Sequence, residues 1–442
     1  ENDQANERLL SIVDTIMDNH ICPPTRQAMI HNGALAVYRA KGDFLPMGLG
    51  SEISALSTDN DFDKFLTELR SKVEKTDSFD DKFLKGMLAI VPGQSNIIPA
   101  EQARVNDQLA ANRYVGIGIA LGMDEQHRPW IMNLLDGPGL KAGVKKNDLI
   151  LKIDGEPTDG KDIQQIVKEL RGEEGSPVVL ELQQEDETPR QLSVVRGKTF
   201  IPTVEGIRQP NIREWTYRLN ANPDIAYLKL VRIGPSTVHE LKRIEAKLRS
   251  EPLNGIILDL RTGGGLMHDV VMVADQFLDK ATLGHVQSRE SKTTHETRDG
   301  MLFKDVPIAA LVSAGSGPDR VYLAAALQDL GRAQVIGQPT QMSAFVRRHI
   351  ELEGGDKLLL ATGLLHRGNG TPLLKASNAS LESDAAMLSQ QRPVAPEILD
   401  HVFPDKYQLL NEETVTLNSC VDLLRKSKTQ AAVRTGKQST SG

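Results

Sequence analysis

The sequence predicts an α/β multidomain chain, helical at its N-terminus and built on a largely parallel sheet in its second half. Three observations predict it. Leu9, Leu10, Ile12, Val13, Ile16 and Met17 recur at helical spacing, and Phe62, Phe65, Leu66 and Leu69 do so again. From Tyr114 the texture changes to short apolar runs broken by Gly, Pro and Asp-Gly turns. After Pro223, apolar strands alternate with helical stretches, as in crossover-connected parallel strands. At about 150 residues per domain, a chain of this length has room for about three domains.

The elements follow in order. Asp59, Asp61 and Asp63 alternate like the start of a calcium loop, but Lys64 stands where the loop needs Gly, so a solvated helix start is expected. Tyr114 to Leu121 alternates Gly with apolar residues, as a strand approached by another backbone does. Gly143 to Gly155 reads as a turn, an apolar strand and a tight Asp-Gly turn. An amphipathic helix is expected from Asp162 to Leu170, and strands at Val178–Leu182 and Gln191–Val195. Then come strands at Ile225–Ile233, Gly255–Arg261, Val306–Val312 and Ala333–Gly337. Helices at Thr237–Arg249, Met267–Leu278 and about 320–330 fall between them. The polar end, Ser427 to Gly442, is expected to be a disordered tail.

Composition excludes several classes. The chain carries 52 Lys+Arg against 59 Asp+Glu, net −7, which disfavours a nucleic-acid binder needing clustered cations. No apolar run approaches the roughly 18–20 residues of a membrane span. Two cysteines, Cys22 and Cys420, exclude a disulfide-stapled scaffold or a Cys-rich zinc site. Aromatics at 4% are too few for base- or sugar-stacking platforms. The chain opens on Glu1 rather than Met, as a processed chain would. No cofactor or metal is implied, since the ten histidines form no metal signature.

Two motifs carry chemistry. In the Gly116-Ile117-Gly118-Ile119 stretch, the backbone N–H groups of Ile117, Gly118 and Ile119 can converge on a terminal carboxylate, the peptide behind it adding as a strand. Arg113 lies just upstream. With the 143–155 pattern downstream, this stretch resembles a PDZ domain. Gly263, Gly264 and Gly265 follow a buried strand and open a helix, where an α/β sheet presents ligands. They read either as an oxyanion or peptide cradle, or as a tight turn needing positive φ. His268, close by, is expected to be a surface or capping residue.

A PDZ-like module, then Asp259-Leu260-Arg261 with its Gly cluster, then Ala326-Leu327-Gln328-Asp329 and Val335-Ile336-Gly337, resembles the carboxy-terminal processing (tail-specific) serine protease family. The resemblance implies a helical N-terminal region at 1–108, a PDZ domain at 109–199, a crotonase-like β/α protease core at 200–400 and a C-terminal segment at 401–442. It implies protein or peptide C-termini as partners and an extracytoplasmic compartment. An active protease relative and a second copy of the chain are further partners that it leaves open.

The family cleaves with a Ser–Lys dyad supported by a Gln. Ungapped counting from Leu327-Gln328-Asp329 sets Arg320 at the Ser position. Ser343 stands at the Lys position and Arg347 at the Gln position, and no lysine occurs between Lys304 and Lys357. Arg cannot attack a carbonyl and stays protonated. The expectation is therefore a non-catalytic peptide-binding pseudoprotease, with Gly263–Gly265 as a remnant cradle and Arg320 available to hold a carboxylate. The alternative is an active serine endopeptidase with a relocated nucleophile, Ser316 or Ser343, and a histidine base, His268 or His349.

Overall fold

The computed structural model describes residues 2–373 except 43–45, 74–78, 111–112, 185–186, 213, 266, 339 and 341–343, and beyond them 398–399, 417 and 420–426. The tail at 427–442 lies outside the described residues. The chain forms two compact units, Glu1–Arg104 with Thr282–Glu296 and Gln341–Pro393, and Val105–Ala281 with Thr297–Thr340 and Val394–Gly442.

In the first unit, helices Asn2–Asn19, Arg26–Lys41, Leu49–Ser54, Asp59–Lys72 and Phe79–Leu88 enclose a core that includes Leu9, Ile12, Ile16, Phe62, Leu66 and Phe83. The expected apolar stripes are its inner faces. Thr58 and Asp61 form a capping box at the start of Asp59–Lys72, so the aspartate alternation is a helix start. The same unit holds an antiparallel sheet that periodicity does not reveal. Its strands Asn96–Ile98, Phe345–Glu351 and Thr282–Gln287 all pair with Lys357–Arg367, and Lys292–Glu296 closes the far edge. Leu358 and Leu360 from its long strand complete the helical core.

The second unit holds a small sheet ordered Ile119–Met123, Pro129–Leu134, Leu149–Ile153, Pro177–Gln183, Arg190–Val195. Helix Ile163–Leu170 caps it, starting one residue after Asp162, whose carboxylate accepts from Gln165 N at 2.8 Å. Ile131, Ile150, Ile166, Val178, Leu180 and Val194 form its core. A second sheet runs Val204–Glu205, Ile225–Leu230, Gly255–Asp259, Ile308–Val312, Ala333–Gly337, Ile398–Leu399. All its pairings are parallel except the first. Gly255–Asp259 and Ile308–Val312 are buried at every position, as their unbroken apolar runs require. Helices Thr237–Leu248, Met267–Ala274 and Pro318–Asp329 are the crossovers. The expected helix to Leu278 stops four residues early, at Ala274.

One glycine tests the helical packing. A Cβ on Gly86 would sit 2.5 Å from Asn32 O and 2.3 Å from Ala36 Cβ. Helix propensity favours Ala over Gly by about 1 kcal/mol, but backbone cannot rotate away and overpacking costs about 1–3 kcal/mol. Gly86→Ala is expected to lower the melting midpoint of the chain; a raised midpoint would contradict this packing.

Candidate functional site

The glycine-rich stretch near residue 117 is not one strand. Arg113–Gly116 pairs antiparallel with Gly197–Phe200, the chain turns at 117–118, and Ile119–Met123 resumes in the small sheet. Gly118 makes the turn at φ +79°, where a Cβ would press on Thr199 and the Gly137 Cα at 3.2–3.3 Å. Carbonyls on the turn are used internally, Ile117 O accepting from Gly139 N at 2.7 Å and Gly118 O from Leu135 N at 2.9 Å. Beside the turn runs a groove of about 240 Å³, lined by Gly116, Ile117, Ile119 and Leu121 on one wall and Val167, Leu170 and Arg171 on the other. The structure thus places Gly116, Ile117 and Ile119 at one groove. Arg113 begins its strand, and its side chain lies outside the described set. Arg171, at the C-terminal cap of helix Ile163–Leu170, is the cation that lines the groove. Sequence reading missed it, although an amphipathic helix ending in Arg beside a glycine turn is a readable signal.

The second feature lies at the strand ends of the parallel sheet. Gly264–Gly265 pairs parallel with Arg232–Ile233, and Gly263 precedes it at φ +119°. A Cβ on Gly263 would lie 2.2 Å from Val231 O and 2.4 Å from Arg320 Nη2. One on Gly265 would lie 2.6 Å from Ile233 O and 2.7 Å from Asp319 Oδ2. Both glycines are therefore demanded by close approach, one of them also by its backbone angle.

What approaches them is Arg320, whose guanidinium is fully buried. Its Nε and Nη2 donate to Leu230 O at 3.2 and 2.7 Å, Nη2 also to Gly264 O at 3.3 Å, and Nη1 to Asp319 Oδ2 at 2.7 Å. Burial pushes Asp319 upward and Arg320 downward, while their mutual attraction opposes both shifts. At 2.7 Å with every Arg320 nitrogen hydrogen-bonded, the ion pair is the state this geometry serves. The expectation that Arg320 holds an external carboxylate is corrected here, because its donors are directed inward and it has no exposed surface.

A second buried carboxylate stands nearby. Asp259 accepts from Tyr227 Oη at 2.6 Å and from Arg261 Nε and Nη2 at 2.7–3.1 Å. Burial alone would raise Asp259, but the hydrogen bonds and charge of Arg261, joined by Tyr227, outweigh it and hold the carboxyl low. Burial, and then the negative Asp259, push the Tyr227 phenol up.

The remaining candidates separate. Ser316 is fully buried; its hydroxyl donates to Leu260 O and accepts from Ser313 N, each at 2.9 Å. Its proton is committed to a carbonyl, and its role is to hold the 313–317 loop on the sheet. His268 is exposed, with Nε2 3.0 Å from the buried Asp269. Arg347 and His349 are exposed on Phe345–Glu351 in the first unit. Ser343 lies outside the described residues.

Comparison with known proteins agrees with this architecture. The model of peptidase family S41 matches residues 224–379, and a PDZ-domain model matches 135–184. A carboxy-terminal-processing protease of Bartonella bacilliformis is 29% identical over 298 residues, covering 66% of this chain and 66% of that protein. Over these segments the chain is similar to the carboxy-terminal-processing serine proteases with a PDZ domain. A probable CtpA-like serine protease of Staphylococcus haemolyticus is 27% identical over 270 residues, 60% of this chain and 51% of that protein. Among solved structures, a photosystem II D1 C-terminal processing protease aligns at 17% identity and a TM-score of 0.44, over 91% of this chain and 95% of that one. The chain spans less than two thirds of the length of the curated relatives it matches. The S41 match falls on the mixed α/β core and the PDZ match on the small sheet before it, behind a helical N-terminal region.

Two outcomes follow from the buried charges. Arg320→Met leaves Asp319 buried and unpaired, and is expected to cost about 3–5 kcal/mol. Adding Asp319→Asn should recover at least about half of that loss in urea denaturation; no recovery would mean that the carboxylate is not the source. Asp259, ionised more readily in the fold than in the open chain, adds stability above an unfolded value of about 3.9. That contribution is lost as pH falls through its lower folded value. Asp259→Asn should therefore flatten the acid side of the stability profile below about pH 5, and an unchanged slope would contradict the assignment.

Proposed function

We propose that this chain binds peptide C-termini and does not cleave them. The observation that carries the reading is Arg320. At the position where the resemblance sets the nucleophile stands a guanidinium locked by Asp319 and by the carbonyls of Leu230 and Gly264. No attacking atom is offered there, and the charge that replaces it is neutralised within the fold.

Peptide capture is assigned to the groove. A bound C-terminus adds along Ile119–Met123 by main-chain hydrogen bonds. Its last side chain is taken between Ile117, Ile119 and Leu121 on one side and Val167 and Leu170 on the other. The carboxylate meets the turn at Gly116–Ile119, with Arg171 supplying positive charge from the facing wall. Gly263–Gly265 stays as a packed structural remnant beneath Arg320. The rival reading, a relocated Ser316 nucleophile, is disfavoured by a hydroxyl that is buried and already donating to Leu260 O.

The test is fluorescence polarisation with a labelled peptide ending in an apolar residue, as the free acid and as the amide. The acid is expected to bind about tenfold or more tightly, the worth of a charge-assisted hydrogen bond, and Arg171→Ala should remove most of that difference. Equal affinity for acid and amide, or binding of neither, would overturn the assignment.

A further inference from the structure

The sheet of the first unit carries a feature that the peptide-binding reading does not use. His285, on Thr282–Gln287, lies directly opposite His366, on Lys357–Arg367. Their rings stack with centroids 4.5 Å apart and planes 6° from parallel. Both side chains are half-buried, so the pair is reachable from solvent while its backbone is fixed by two strands.

We infer that the His285–His366 pair is a binding site for a first-row divalent ion, copper(II), nickel(II) or zinc(II). Imidazole is a ligand for these ions when one ring nitrogen carries a lone pair and the other is held. His366 meets that requirement, because its Nδ1 lies 3.2 Å from Leu364 O and so donates, which leaves Nε2 as the basic nitrogen. Imidazole lone pairs lie in the ring plane, so for two nitrogens to meet one ion at about 2.0–2.1 Å both rings would turn out of this stack on binding. Thr294, opposite His285 on Lys292–Glu296, places a hydroxyl on the same face. Water completes the shell. Lys292 is the cation whose charge reaches both rings, and it opposes the ion. His295, one residue beyond Thr294, also lowers the proton affinity of His285.

The test is titration of the full chain with NiCl2, and separately ZnCl2 and CuCl2, by calorimetry near neutral pH. One saturable site is expected, tightest for copper in line with the divalent affinity order. His285→Asn and His366→Asn should each weaken it by at least about tenfold, the scale on which even supporting residues act. His268→Asn should leave it unchanged, and Lys292→Gln should tighten it. Circular dichroism melts of both histidine variants without metal separate loss of a ligand from loss of fold. Uptake that survives both substitutions in a folded chain, or no saturable uptake up to about 1 mM metal, an affinity of only about −4 kcal/mol, overturns the inference.

Discussion

A guanidinium with no exposed surface is the constraint on which the core end of this protein depends. Burying an unpaired charge costs several kcal/mol, so Arg320 can occupy its position only because its surroundings answer it. Asp319, the preceding residue, supplies the opposite charge, and Leu230 and Gly264 supply carbonyls from two different segments. One side chain thereby ties helix Pro318–Asp329 to the end of strand Ile225–Leu230 and to the Gly264–Gly265 strand. Gly263 and Gly265 are glycines because that side chain, its carboxylate and the backbone of Val231 and Ile233 leave no room for a Cβ. Gly263 and Gly265 therefore have a structural explanation that needs no bound ligand, while a Cβ on Gly264 would meet open space.

The groove in the same unit obeys a different constraint. A β-strand that turns at Gly118 commits its carbonyls to Gly139 and Leu135, and apolar side chains from Ile163–Leu170 face the strand that follows. Those are the ingredients of strand addition with an apolar end pocket, and none depends on the state of the core. The loss of catalytic groups proposed above and the groove are thus physically independent. A family member can give up one and keep the other.

Much of this was legible in sequence, and the rest was not for identifiable reasons. Gly255–Asp259 and Ile308–Val312 announce themselves because strands buried on both faces must be apolar throughout. Asp162 and Thr58 mark helix starts through side-chain capping that any sequence displays. Three strands of the first unit, Thr282–Gln287, Lys292–Glu296 and Phe345–Glu351, escaped because their Thr, Lys and Arg residues face solvent on a half-exposed sheet. Lys357–Arg367, with Leu358, Leu359, Leu360, Leu364 and Leu365, has no clean alternation to separate strand from helix. At the site, ungapped counting from Leu327-Gln328-Asp329 singled out Arg320 but not its surroundings. That its partners are Asp319 and two carbonyls from segments about 56 and 90 residues away is a fact of topology. For the same reason Ser316 read as a spare nucleophile although its hydroxyl is bound to Leu260 O.

The central claim is that a protease architecture here recognises chain ends without cutting them. Mass spectrometry of an unfolded protein with an apolar C-terminus, incubated with the purified chain beside an active family member, tests it most directly. The account predicts intact substrate with this chain and fragments with the active relative. Fragments that persist through purification and vanish on Ser316→Ala or Ser343→Ala would contradict it, and would locate the nucleophile.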